Sequence, residues 1–134
     1  MDLEIIKIAE KSINNRPIKN HTHFSKLKNH LCGDEMHISL IIKNGKIINF
    51  GYEGKSCIYC QASASLLSEV SINQKKLKID ELCNNANLFF KDDKDLVGKN
   101  FGKLKKLFKK KNFPRKECIL LPFKTFKKIK KSFK

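Results

Sequence analysis

The placement of the thiols constrains this chain more than any other feature. Cys32 and Asp34 flank a single glycine, Cys57 and Cys60 are separated by two residues, and Cys118 lies far downstream. Thiolates and carboxylates are ligands for Zn²⁺, iron and iron–sulfur clusters. We therefore expect a fold that brings groups from distant parts of the sequence around one metal ion or one small metal–sulfur cluster.

Length and composition indicate a small globular protein. The 134 residues, 40% of them apolar, are enough for one domain with a modest core. No apolar run approaches the roughly 18 residues that cross a bilayer, and residues 1–4 lack the basic segment of a secretory signal. We expect a single domain over residues 1–134 in the cytoplasm, where five cysteines indicate metal binding or thiol chemistry rather than a disulfide framework.

Positive charge is concentrated in the C-terminal third. The formal net charge is +16, and residues 99–134 carry 15 Lys and Arg against the single acid Glu117. Such a segment suits an acidic partner, nucleic acid or an anionic membrane surface, or it forms a solvated lysine face. Only Arg16 and Arg115 are arginines, which argues against specific phosphate recognition, because that recognition favours the bidentate guanidinium.

A β-hairpin is the clearest local prediction. Asn44-Gly45 lies between two isoleucine-rich runs at 37–42 and 46–52, and both residues of this dipeptide tolerate the positive φ of a tight hairpin turn. Helical periodicity and breaking residues predict the remaining elements, which are helices over 3–14, from Cys57 or just after it to Val70, over 77–92, over 101–111 and over 119–133, with an extended piece within 22–28.

Two residues in these helices have specific expectations. Cys83 lies on the apolar stripe of the helix over 77–92, so we expect a buried structural thiol there. Pro122 is expected in the first turn of the last helix, where proline is tolerated.

The residues around the thiols favour their anionic forms. The glycine of Cys32-Gly33-Asp34 allows the backbone to bend so that both flanking side chains reach one ion. Cys57 lies near a predicted helix N-terminus, where the helix dipole favours a thiolate, and Cys118 follows Arg115-Lys116. The Cys57-x-x-Cys60 pair by itself fits either half of a zinc site or a redox pair. A hairpin rather than a βαβ unit precedes it, which disfavours the redox alternative.

The order of these motifs resembles the iron–sulfur cluster assembly scaffold family, of the IscU, SufU and NifU N-terminal type. The resemblance covers the chain from about residue 29 to its C-terminus, and the segment between Asp92 and Pro114 places it closer to the SufU-like branch. It rests on Cys32-Gly33-Asp34, the hairpin, Gly54-x-x-Cys57, Ala62-Ser63-Ala64-Ser65, and Arg115-x-x-Cys118 with Leu121-Pro122-Phe123.

The resemblance implies a fold, a site and a function. The fold is α+β, a small antiparallel β-sheet packed by several α-helices, as in SufE/NifU-like proteins. The implied ligands are Cys32, Asp34, Cys57 and Cys118, holding a transient [2Fe–2S] cluster or Zn²⁺. The implied function is a non-enzymatic scaffold that receives sulfur from a cysteine desulfurase and passes a cluster to apo acceptor proteins.

Two alternatives remain open at this point. The first is a zinc-dependent sulfur acceptor, a sulfurtransferase that stimulates a cysteine desulfurase. The second is a basic module for nucleic acid or a membrane surface, which leaves the cysteine pattern unexplained. The chain departs from the family pattern at Ser56, Cys60 and Glu117, and the sequence does not decide between zinc and a cluster or show which thiol accepts sulfur.

Overall fold

Residues 3–31, 33–92 and 101–132 are described in a computed structural model, in which four α-helices pack on an antiparallel sheet. The elements, in chain order, are α1 (Leu3–Glu10), β1 (His23–Lys28), β2 (Glu35–Lys43), β3 (Lys46–Glu53), α2 (Ile58–Ser71), α3 (Lys76–Asp92), 3₁₀ helices at Gly102–Lys106 and Lys110–Arg115, α4 (Lys116–Lys127) and β4 (Lys130–Lys131).

The sheet is built around the predicted hairpin. Its strand order is β3-β2-β1-β4, and each neighbouring pair is antiparallel. The turn residues Asn44 and Gly45 have φ of 53° and 76°, as a type I′ turn requires. The hairpin is therefore confirmed, and the extended piece predicted within 22–28 is β1 of the same sheet.

One face of the sheet supports the helices. Met36, Ile38 and Leu40 alternate along β2 and are fully buried, because alternate residues of a strand point to the same face. The small residues of α2, Ala62-Ser63-Ala64-Ser65, are also buried. They let α2 lie closely between α1, α4 and the sheet. Within the described part of the chain, no helix is long and apolar enough to cross a membrane.

Two helix predictions need correction at their ends. The first helix stops at Glu10 rather than at residue 14, because the buried Asn14 bonds two other elements. Its amide donates to Ser68 Oγ of α2 at 2.9 Å, and its carbonyl accepts from the Tyr52 N–H of β3 at 3.0 Å. The last helix spans Lys116–Lys127 rather than 119–133, and Lys130–Lys131 after it form β4, paired with β1. Pro122 consequently lies in the middle of α4 and not in its first turn.

The helix predicted over 101–111 is wrong. The chain forms two short 3₁₀ helices there, separated by Lys109 in an extended conformation with φ −131° and ψ 147°. The buried Asn112 side chain donates to the Leu107 carbonyl at 2.8 Å. The same carbonyl also accepts from the Lys109 N–H at 2.9 Å. It is therefore paired locally rather than with the Lys111 N–H of a continuous helix, and Leu104 and Leu107 are buried by separate short turns.

Candidate metal centre

Three of the four predicted ligands converge on one point. The carboxylate of Asp34 and the thiols of Cys57 and Cys118 have donor atoms within 4.8 Å of one another. A tetrahedral zinc site with Zn–S bonds of about 2.3 Å separates its sulfur ligands by roughly 3.8 Å. Small side-chain rotations are therefore enough for these three groups to share an ion. Asp34 and Cys57 are half-buried, so solvent reaches the group of donors at these two residues.

A closed turn between β1 and β2 positions Asp34. The Asn29 N–H donates to the Asp34 carbonyl and the Gly33 N–H donates to the Asn29 carbonyl, both at 2.8 Å. Gly33 has φ +78°, a conformation that glycine adopts without strain. The turn directs the Asp34 carboxylate to the start of α2, where it accepts a hydrogen bond from the Cys57 N–H at 3.2 Å.

The segment before α2 brings Cys57 to the same place. The Glu35 N–H donates to the Lys55 carbonyl at 2.7 Å, which holds the segment against the beginning of β2. Gly54 has φ +143°, and a Cβ atom there would collide with the carbonyl oxygen of Glu35. Glycine at this position therefore permits the close approach that places Cys57 beside Asp34.

The packing of α4 on α2 positions Cys118. The buried Ser63 hydroxyl of α2 donates to the Ile119 carbonyl of α4 at 2.6 Å. Cys118 lies in the first turn of α4, and Cys57 is the N-cap residue of α2. Two helix N-termini thus face one group of potential ligands, and their partial positive charges attract negative charge at this place.

An arginine and an aromatic ring connect the two thiol-bearing helix starts. The guanidinium of Arg115 lies over the ring of Tyr59, 5.3 Å from its centroid. Arg115 precedes α4, and Tyr59 is two residues after Cys57. From the sequence, Arg115 was expected as a charge near Cys118 and as part of the Arg115-x-x-Cys118 motif, and its contact with Tyr59 was not predicted. An aromatic residue inside Cys57-x-x-Cys60 is the signal that was available.

The other predicted or discussed residues lie as follows. Cys32 is outside the described residues, so its role as a ligand stays a prediction. Glu117 forms an ion pair with Lys124 at 3.4 Å and is not part of the group of converging donors. Cys83 is fully buried on α3, as expected, and burial raises the pKa of its thiol.

Cys60 lies in the first turn of α2 and is fully buried. Burial raises the pKa of its thiol above the usual range, and the hydrogen bond to Ser56 opposes that shift. The charges of Cys57, Asp34 and Cys118 raise this pKa further. Cys60 is therefore a buried thiol at the start of α2, outside the group of converging donors.

The sequence is similar to known proteins over most of its length. Residues 5–90 match the family model described as the NifU-like N terminal domain. The iron–sulfur cluster assembly scaffold protein IscU of Thermotoga maritima is 36% identical over 110 residues, which are 78% of this chain and 73% of that protein. An uncharacterized protein of Borreliella burgdorferi is 31% identical over 134 residues, covering 98% of this chain and 89% of that one.

Solved structures share the fold. A candidate iron–sulfur cluster assembly scaffold protein for the SUF system from Fervidobacterium islandicum AW-1 has a TM-score of 0.85 and 28% identity, covering 94% of this chain and 93% of that chain. A nitrogen-fixing NifU-like N-terminal protein from Brucella abortus has a TM-score of 0.83, with coverages of 94% and 88%. At 18% identity this second match shows the fold alone. The predicted α+β class, an open antiparallel sheet packed by helices, is confirmed.

Proposed function

Because this chain belongs to the iron–sulfur cluster assembly scaffold family with the NifU-like N-terminal domain, we propose that it builds a transient [2Fe–2S] cluster and transfers it to apo acceptor proteins. Its sulfur comes from a cysteine desulfurase. The cluster ligands are Cys32, Asp34, Cys57 and Cys118. In this proposal residues 1–134 act as one non-enzymatic scaffold domain in the cytoplasm, as expected for the family.

The convergence of Asp34, Cys57 and Cys118 within 4.8 Å is the observation that carries this proposal. These residues come from a turn, a helix N-cap and a separate helix, and the chemistry of the donor set fits iron or zinc. Thiolates bind iron strongly, whereas a carboxylate oxygen is a harder and more exchangeable ligand. A half-buried site with one exchangeable ligand suits a cluster that must leave.

The basic C-terminal third supports a protein partner of opposite charge. Exposed lysines at 109–111 lie on the second 3₁₀ helix and the residue before it, which lead to Arg115 and α4. Phe113 on the same segment is half exposed and stacks with the Lys116 ammonium 4.3 Å from its ring centroid. We propose that this segment, residues 109–116, docks an acidic surface of the desulfurase or of an acceptor beside Cys118.

A zinc-dependent sulfur acceptor is the second candidate function. The three donor atoms are close enough to bind a single ion, and this supports zinc binding because zinc needs no second metal in the site. In this alternative Zn²⁺ orders the site, and one thiolate leaves the metal to accept sulfane sulfur from the desulfurase. The same residues serve both candidates, so the bound metal distinguishes them.

Anaerobic purification with metal and sulfide analysis tests both candidates. We expect iron and acid-labile sulfide in equal amounts, with a visible charge-transfer spectrum, from the wild type and from Cys83→Ser, which changes a buried thiol on α3. Cys57→Ser and Cys118→Ser should lose the spectrum. Stoichiometric zinc, no reconstituted cluster and faster desulfurase turnover would establish the zinc alternative. Equal cluster content in all four proteins would contradict the proposed ligands.

A further inference from the structure

The first turn of α2 presents two thiols with different exposure. Cys57 is the N-cap residue, with φ −71° and ψ 169°, and it is half-buried. Cys60 follows three residues later and is fully buried. Side chains three residues apart at a helix start are neighbours, with Cβ atoms about 5–6 Å apart. An external sulfur donor can therefore reach the Cys57 thiol but not the Cys60 thiol.

The local geometry allows these thiols to form a bond. A disulfide needs Cβ atoms about 3.5–4.5 Å apart, so the pair requires a movement of only one or two ångströms. The Cys57 side chain is the one able to rotate, because it makes no capping hydrogen bond. Pairs of the Cys-x-x-Cys type at helix starts are suited to thiol–disulfide exchange for this reason.

The proposed function creates a chemical need that this pair can meet. A desulfurase delivers sulfur as sulfane sulfur, in oxidation state zero, bound to a cysteine as a persulfide. An iron–sulfur cluster contains sulfide, which is more reduced by two electrons. Some group must supply these electrons at the site. A buried thiol beside the accepting cysteine can supply them at the site, and an external reductant is then needed only to restore the thiols.

We propose that Cys60 reduces a persulfide on Cys57 and releases its outer sulfur as sulfide. The Cys60 sulfur attacks Cys57 Sγ, the sulfur–sulfur bond of the persulfide breaks, and a Cys57–Cys60 disulfide forms. The outer sulfur gains the two electrons of the broken bond and leaves as H₂S, taking the Cys60 proton. A dithiol reductant then restores both thiols, so that Cys57 can ligate the cluster. This inference rests on the sulfur-accepting step of the proposed function.

Burial supports this division of roles. Cys60 is shielded from solvent, and it lies outside the group of converging donors. It is therefore not consumed as a metal ligand, whereas Cys118 lies among the proposed ligands. Cys118 is still the competing resolving thiol, because its sulfur is within 4.8 Å of Cys57 Sγ. The test must distinguish these two thiols.

The experiment loads the full chain, reduced and freed of metal, with sodium tetrasulfide under anaerobic conditions. Samples are quenched at intervals with a thiol-alkylating reagent, digested with trypsin and analysed by mass spectrometry. Residues 56–75 form one tryptic peptide that contains both Cys57 and Cys60. A disulfide within this peptide is thus distinct from one that joins it to the Cys118 peptide, residues 117–124.

In the wild type we expect a transient persulfide on the 56–75 peptide and then the internal disulfide, with no added reductant. Cys60→Ser and Cys60→Ala should keep the persulfide until dithiothreitol releases sulfide. Cys83→Ser, which changes the buried thiol of α3, should behave as the wild type. Two Cys60 variants are used because a buried hydroxyl and a small cavity perturb folding differently, and circular dichroism identifies the folded variant.

Three results would overturn the inference. A stable persulfide on Cys57 in the wild type would show that Cys60 does not react, although sulfur acceptance itself would stand. A disulfide to Cys118 in wild type and Cys60→Ser alike would assign the reaction to Cys118. Absence of any persulfide on the 56–75 peptide in the wild type and both Cys60 variants would refute sulfur acceptance by Cys57, and the inference would fail with it.

Discussion

Three glycines provide a graded test of how the site is positioned. Gly54 combines φ +143° with a Cβ position that collides with the backbone of Glu35, Gly33 has φ +78° with open space around it, and Gly102 has neither constraint. Alanine at Gly102 should change the free energy of unfolding by less than about 0.5 kcal/mol. Alanine at Gly33 should cost about 1 kcal/mol, because an L-residue is strained in this region.

Gly54→Ala should cost about 3 kcal/mol. The backbone strain contributes roughly 1–3 kcal/mol, and relieving the collision with the Glu35 carbonyl requires a backbone shift that contributes a similar amount. This is a large share of the roughly 5–15 kcal/mol that stabilises a small domain. With a urea m-value of about 1.5 kcal/mol/M, the unfolding midpoint of the metal-free protein should fall by about 2 M.

The same substitution should also weaken metal binding. Residues 54–57 place Cys57 beside Asp34, so a shift at Gly54 separates the two donors. Gly102 is on a different segment, so a substitution there should not affect the distance between them. Zinc affinity, measured by competition with a chromophoric chelator, should decrease for Gly54→Ala and not for Gly102→Ala. If Gly54→Ala has the midpoint and zinc affinity of Gly102→Ala, the close approach of the residues around Gly54 and Glu35 does not position the site.

Three further outcomes follow from the site and its surroundings. Asp34→Ala should slow the loss of a reconstituted cluster, because the exchangeable oxygen ligand is removed; equal or faster transfer to an apo acceptor would count against this. Tyr59→Leu removes the stack with Arg115, worth about 1 kcal/mol, and should lower zinc affinity roughly fivefold. Phe113→Leu, which removes the stack with Lys116, should leave zinc affinity unchanged. Burial, with two nearby lysines, lowers the pKa of His23 below 6.5. The folded state therefore binds fewer protons than the unfolded state, and stability should decrease as pH falls below about 6.5; His23→Gln should reduce this pH dependence in urea unfolding.

Local signals predicted the elements whose conformation is determined within a few residues. Asn44-Gly45 specifies its turn because two consecutive residues must adopt positive φ, and few dipeptides do so readily. The N-cap position of Cys57 was similarly predictable, because a glycine-containing loop precedes a run of small and helix-forming residues. Both predictions needed no knowledge of the rest of the chain.

Tertiary contacts determined the elements that were predicted wrongly. Leu104 and Leu107 have helical spacing, but the Asn112 side chain occupies the Leu107 carbonyl and ends the turn. Strand β4 consists of two lysines, which have no intrinsic strand preference. It forms because Lys130 and Lys131 reach the free edge of β1. No periodicity within these segments indicates either outcome.

The candidate site was predictable in part from local signals and depends in part on tertiary contacts. The residue types and their order predicted the donor set, but the meeting of Cys118 with Cys57 depends on the packing of α4 against α2. That packing is directed by the buried bond from Ser63 to the Ile119 carbonyl, and Ile119 follows Cys118 directly. Ser63 is five residues beyond the start of α2, and its small side chain lets α4 approach closely enough for this bond. The small-residue run of α2 is thus the part of the sequence that converts two distant thiols into neighbours.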